Sequence, residues 1–234
     1  MCIRDSFRTE RAPTGEELFS NGPHIATGQF EIGDSELEEE TSTGAELALR
    51  YRNDRHFLTI NAFYTDYDDY IFEQETGEEE DGLPVFEFVG EDATFRGFEV
   101  QGGANLTRYR GFDVKADALA EYVRAKSSSG DLPRIPPLNI LAGIEADSDA
   151  LNFRAEIDYL AEQNKVETFE LPTDSSTQVN LFATWRPSIA AQDISVRVSA
   201  LNVFDVDVRQ HSSFLKDEVP LPGRNFRVSV ATRF

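Results

Sequence analysis

One pattern governs what this chain can fold into: apolar and polar residues alternate, segment after segment. In 151–159 the odd positions are Leu151, Phe153, Ala155, Ile157 and Tyr159, and the even ones Asn152, Arg154, Glu156 and Asp158. Val114, Ala116, Ala118, Ala120 and Tyr122 stand against Asp113, Lys115, Asp117 and Glu121, and Ile194, Val196, Val198 and Ala200 against Ser195, Arg197 and Ser199. The same holds for Ala45, Leu47, Leu49 and Tyr51, for Leu58, Ile60, Ala62 and Tyr64, for Phe98, Val100, Ala104 and Leu106, and for Val179, Leu181, Ala183 and Trp185. Successive side chains on a strand point to opposite faces, so each segment is a strand with one apolar and one polar face. The pattern predicts about nine strands, near 42–52, 56–71, 95–107, 113–125, 137–146, 150–161, 176–186, 193–204 and 224–234, joined as an all-β antiparallel meander.

The connections alternate too. Those at 52–55, 108–112, 147–149 and 187–192 are short; those at 72–94, 126–136, 162–175 and 205–223 are long. Alternation alone fits a soluble sandwich, apolar side inward, as well as a transmembrane barrel, apolar side to lipid. Three features favour the barrel. Short and long connections alternate regularly, as periplasmic turns and extracellular loops do. The apolar faces are rich in alanine, which fills a close-packed core poorly. Aromatics collect at strand ends, with Tyr51, Trp185 and Phe234 at the short-turn side and Tyr64, Tyr70, Tyr122 and Tyr159 toward the long loops, like two interfacial girdles.

No apolar run is long enough for a transmembrane helix, and 1–19 has no apolar segment of a signal peptide, which implies a truncated chain. Met1 to Ser6 fits no later pattern and resembles a translated adapter scar, so 1–6 is expected to be a non-native leader and 7–41 an extracellular loop segment. Barrel strands are expected over 42–234. Cys2, the single cysteine, lies in that leader, leaving no disulfide or thiolate site. The net charge of −21 argues against nucleic acid as a partner. Seven acids and no base occupy 31–46, and nine acids and no base 73–92, both expected in loops. There they keep the loops solvated or hold divalent cations among lipopolysaccharide phosphates.

The last strand places Phe226, Val228, Val230, Thr232 and Phe234 on one face. It resembles the C-terminal signal read by the machinery that assembles outer-membrane barrels, with Thr232 where an aromatic is more usual. Six further segments, in order, resemble the barrel domain of TonB-dependent receptors from about Arg8 onward. They are Arg11-Ala-Pro-Thr-Gly-Glu-Glu-Leu-Phe19, Gly33-Asp-Ser-Glu-Leu-Glu-Glu-Glu-Thr41 (with Glu39 for the usual proline), Asn61-Ala-Phe-Tyr-Thr-Asp-Tyr-Asp-Asp-Tyr-Ile71, Ala93-Thr-Phe-Arg-Gly-Phe-Glu99, Leu201-Asn-Val-Phe-Asp205 and Pro222-Gly-Arg-Asn-Phe226.

The resemblance implies the C-terminal part of a 22-stranded barrel in a Gram-negative outer membrane. Here that part is an open sheet without the plug and TonB-interacting segment. It implies energised import of a scarce ligand, such as zinc or an iron siderophore, with no enzymatic activity and no resident cofactor. Partners expected are outer-membrane lipid and lipopolysaccharide, the TonB complex through the missing N-terminal region, and the barrel assembly machinery. The segment 209–217, with 220–224 and Asn21-Gly-Pro-His24, resembles the metal-receptor subgroup. His24, His211 and Asp217 are therefore candidate metal ligands, imidazole and carboxylate being suitable for zinc. Ser212 and Ser213 beside His211 make no triad, Asp68 and Asp69 lie at a strand end, and Gly102-Gly103 lacks a phosphate-loop context. The alternatives left open are a passive porin or structural barrel, and a secreted soluble β-sandwich that binds glycans or cells.

Overall fold

Period-two sequence folds here into one continuous sheet. The computed structural model describes residues 1–187 and 193–233. Its strands are β1 (Cys2–Arg11), β2 (Asn21–His24), β3 (Gln29–Ile32), β4 (Glu40–Arg52), β5 (His56–Glu80), β6 (Leu83–Tyr109), β7 (Phe112–Ser127), β8 (Asn139–Asp147), β9 (Leu151–Leu160), β10 (Ser176–Trp185), β11 (Asp193–Leu201) and β12 (Asn225–Arg233). One short helix, α1 (Gly15–Phe19), precedes β2. The sheet runs β1-β4-β5-β6-β7-β8-β9-β10-β11-β12 with antiparallel neighbours, and β1 and β12 are its open edges. The all-β meander expected from the sequence is present, with twelve strands among the described residues instead of about nine.

The two faces separate as the alternation requires. Leu47, Leu49, Tyr51, Tyr64, Phe98, Ile144, Phe153, Ile157, Leu181, Trp185 and Val198 all lie on one side and are exposed. Trp185 is 51% accessible and Val228 70%. A soluble sandwich would cover this side with a second sheet; here the sheet is a single layer and the apolar side is left for lipid. The opposite, inner side carries charged pairs such as Arg154–Asp117.

Glycine on the inner side makes room for large neighbours. The Phe63 ring lies over Gly97, Phe57 over Gly103 and Phe7 over Gly44, each directly opposite in register. A Cβ on Gly97 would come 2.4 Å from the Tyr122 carbonyl oxygen and 2.6 Å from the Phe63 ring. The first contact is with backbone, so no rotamer change relieves it. Gly97→Val is therefore expected to cost about 2–3 kcal/mol through overpacking, read as a lower urea midpoint of the full-length protein in detergent.

Four expectations need correction. Residues 7–41 are not all loop: Cys2–Arg11 pairs along its length with β4, and 12–39 holds α1 and the β2–β3 hairpin. The connection 72–94 is not a loop either. β5 and β6 continue as a hairpin arm to Glu80 and Leu83, closed by Asp81 and Gly82 at φ 55° and 77°. Two left-handed residues are the requirement of a type I′ turn. Against this arm β3 packs in parallel, Phe30 opposite Val85, so the sheet is not purely antiparallel. Tyr70 is not in a lipid girdle. The register slips between Tyr67 and Tyr70, with Asp69 at φ 56°, and this bulge reverses the parity. Tyr70 thus joins Tyr67 on the inner side, ring centroids 5.0 Å apart.

Candidate functional site

The bulge marks where the barrel wall ends and a loop assembly begins. Beyond it Phe72, Ala93, Ala125 and Leu132 form a buried apolar cluster, with Tyr67, Tyr70, Val89, Phe95 and Ile135 packed around it. Tyr67, Tyr70 and Phe95 meet edge to face at centroid distances of 5.0–5.3 Å, a favoured arrangement of ring quadrupoles. Leu132 is 2% accessible and anchors the β7–β8 loop to this cluster.

Arg134, two residues on, ties the loops together. Its Nη2 donates to Glu73 Oε2 on the β5–β6 arm at 3.1 Å. Its guanidinium lies 4.0 Å from the ring centroid of Phe214 in the β11–β12 loop, a cation–π contact. Its backbone N–H donates to both carboxylate oxygens of Glu170 in the β9–β10 loop, at 3.1 and 3.2 Å. Arg134 holds φ 58°, a conformation uncommon for a side chain of this size. All three contacts are made from this conformation.

Glu170 continues the network. Its Oε1 lies 3.2 Å from His211 Nε2, at an angle too poor for a full hydrogen bond. His211 Nδ1 meets Thr173 Oγ1 at 3.0 Å, and the imidazole is 2% accessible. Lys216, also buried, donates to the Leu171 carbonyl and to Asp217. Gln163 donates to the Ile135 carbonyl at 2.8 Å. Burial raises the Glu170 carboxyl, but His211, the Arg134 amide and Lys216 outweigh it and hold the group below the ordinary value. For Glu73 burial prevails and pushes the carboxyl up despite Arg134.

A group with depressed pKa in the folded state stabilises that state above its unfolded value and stops doing so as pH falls through the folded one. The Glu170 contribution is therefore complete above about 4.5, the carboxyl's ordinary value, and is lost below it. Protection factors of the amides in 162–175 and 205–223, taken relative to the intrinsic exchange rate at each pH, are expected to fall below that pH in wild type. In Glu170→Gln these protection factors should be low already and should not change over the same pH range. Unchanged protection in both would remove this role.

A second feature lies on the inner wall. Arg154 on β9 reaches across Gly143 on β8, donating to both oxygens of Asp117 on β7 at 2.7 and 2.8 Å. Nε donates to Glu156 at 2.5 Å, and Glu145 is 4.0 Å away. At the start of the chain Arg11 bridges Glu17 of α1 at 2.9 Å and Glu40 of β4 at 3.1 Å. This ties the C-terminal end of β1 to α1 and β4. Thr14 and Glu17 form a reciprocal cap on α1.

The three candidate metal ligands fall in different surroundings. His24 on β2 meets Glu31 on β3 through Nδ1 at 2.5 Å, the histidine half-exposed and the glutamate buried. His211 is enclosed with Glu170 and Thr173, and Asp217 pairs with Lys216. No group of three or more His, Cys, Asp or Glu side chains that could hold a metal occurs among the described residues. Phe226, Val228 and Val230 share the lipid side of β12; Phe234 lies outside the described residues. Sequence reasoning missed Arg134, Glu170, Glu73 and Thr173, which no local spacing connects. Arg154 and Glu156 were legible as inner-face neighbours.

A single-layer sheet with an apolar outer side, a charged inner side and a loop assembly at one end matches a known family. Residues 6–203 match the family described as TonB dependent receptor-like, beta-barrel. The chain belongs to that family. TonB-dependent receptors are proteins of the Gram-negative outer membrane, and this chain's place is there. Among solved structures the copper transporter OprC superposes with a TM-score of 0.83 over 98% of this chain and 36% of its own, at 20% identity. The siderophore receptor PirA from Pseudomonas aeruginosa gives 0.64 over 100% and 39%, at 17% identity. The hemoglobin and hemoglobin-haptoglobin-binding protein B of Haemophilus influenzae is 35% identical over 82 residues, 33% of this chain and 7% of its own. The chain thus spans little more than a third of the solved receptors it resembles.

Proposed function

We propose that this chain is the C-terminal part of the barrel of a TonB-dependent transporter that imports a scarce ligand, a metal ion such as zinc or an iron siderophore. The observation that carries the reading is the pairing of faces: apolar side chains left bare on one side, ion pairs such as Arg154–Asp117 on the other. Family membership supports a receptor rather than an enzyme. The similar proteins, a copper transporter, a siderophore receptor and a haemoglobin-binding protein, favour metal or metal-chelate cargo. The reading includes TonB as partner through a region N-terminal to this chain, lipopolysaccharide around the loops, and the assembly machinery acting on Phe226, Val228, Val230 and Phe234.

The test is growth of a receptor-deficient strain carrying the full-length gene, on limiting zinc, copper, ferric siderophore or haemoglobin. Rescue that vanishes when tonB is deleted is expected. Rescue independent of TonB would establish the passive porin instead. In the same strain, His24→Ala/His211→Ala addresses the metal role of those residues; unchanged zinc binding removes it.

A further inference from the structure

We propose that the outer side of β7–β11 holds one glycerophospholipid of the leaflet facing the short turns. Its acyl chain would lie in a preformed groove and its anionic headgroup on Arg110. The inference rests on the outer-membrane location. It adds a binding site to a surface otherwise treated as uniform contact with fluid lipid.

The groove follows from how large and small residues alternate across strands. One cross-strand row reads Ala146, Phe153, Ala183, Val198; the next reads Ile144, Ala155, Leu181, Ala200. Each large side chain thus stands beside alanines on its neighbours. Two staggered rows of this kind leave a channel floored by Ala146, Ala155 and Ala183 and walled by Ile144, Phe153 and Leu181. This open groove has a volume of about 480 Å³, within the range of sites for small molecules. A flat hydrocarbon-facing surface has no such depression.

The headgroup end is also specified. Phe153, at the groove wall, meets Phe112 at a ring-centroid distance of 6.2 Å. Phe112 is opposite Tyr109 in the last register pair of β6 and β7. Tyr109 is 61% exposed on the outer side. The guanidinium of Arg110 stacks on the Tyr109 ring at 5.2 Å, and no carboxylate pairs with it among the described residues. Arg110 and Gly111, at φ 50° and 89°, form the two-residue turn that holds this cation at the rim. The path from groove to cation is therefore continuous: hydrocarbon, three aromatic rings, then an unpaired guanidinium. Guanidinium suits bidentate recognition of phosphate, and aromatics with a basic tip belong at the headgroup level. The short-turn end of an outer-membrane barrel faces the periplasm, where the leaflet is glycerophospholipid; this decides against lipopolysaccharide as the occupant.

The experiment uses the full-length protein purified in detergent, exchanged with palmitoyl-oleoyl phosphatidylglycerol or phosphatidylethanolamine, and examined by native mass spectrometry. Wild type is expected to retain one phosphatidylglycerol through delipidation. Ala155→Leu/Ala183→Leu fills the groove with lipid-compatible side chains and should reduce retention of both lipids by about tenfold. Arg110→Ala should keep acyl binding but lose about fivefold of the preference for phosphatidylglycerol, the weight of one basic residue at an anionic surface. Equal retention by wild type and the filled variant overturns the groove; an unchanged headgroup preference in Arg110→Ala overturns the cation's role. Neither result touches the transport assay above, so the two readings fail separately.

Discussion

Arg154→Ala is expected to lower the unfolding free energy of the full-length barrel by about 2–3 kcal/mol. The guanidinium makes three close hydrogen bonds to Asp117 and Glu156, with Glu145 at 4.0 Å. Removing it leaves three carboxylates facing one another on adjacent strands. Breaking a fully buried pair costs 3–5 kcal/mol because a charge remains unpaired. Arg154 is 19% and Asp117 34% accessible, so water at the wall screens part of that penalty. The measurement is the urea midpoint of the detergent-solubilised barrel. Adding Asp117→Asn to Arg154→Ala should recover part of the loss, because it deletes one repelling charge. Gly143→Val should reproduce part of the effect, since its Cβ would sit 2.4 Å from Nη2 of Arg154. A midpoint unchanged in Arg154→Ala would show the network to be neutral.

The second large effect separates the faces. Ile60 and Asn61 are adjacent on β5, at the same depth, with side chains on opposite sides. Ile60→Arg places a charge against hydrocarbon and is expected to cost about 2–4 kcal/mol if near the membrane centre. Asn61→Arg places the same charge on the inner side, directly opposite Glu99, and is expected to change stability by less than about 0.5 kcal/mol. The readout is the folded fraction in phospholipid vesicles across a urea series. Equal costs at both positions would contradict a lipid-facing outer side.

Much of the wall was legible beforehand because its physics is local. From β4 to β12, apart from the outward extensions of β5 and β6, strand positions agree with the alternation to within a few residues, since each crossing strand must keep one face apolar. The arm at 73–91 was not legible for the converse reason. It projects beyond the wall, so neither side of Glu73 to Glu80 needs to be apolar, and its acidity disguised a hairpin whose Asp81-Gly82 turn was in plain view. Residues 2–11 hid in the same way. The side of β1 continuous with the lipid face of β4 carries Cys2, Arg4, Ser6, Arg8 and Glu10, without the apolar signature that identifies a spanning strand.

Sequence by itself determined the class of structure, the direction of the strands and the membrane-facing side, because alternation and connection length are properties of neighbouring residues. Tertiary structure alone decided what the polar residues do. Tyr70 changed sides because a bulge at Asp69 shifted parity. His211, a candidate ligand on residue type, became an enclosed partner of Glu170 and Thr173. Arg134 drew Glu73, Glu170 and Phe214 together from three connections. These contacts join residues as much as 80 positions apart (Arg134 to Phe214), and no spacing along the chain encodes them. They arise when the sheet curves its loops to one end and burial requires each charged group there to find a partner.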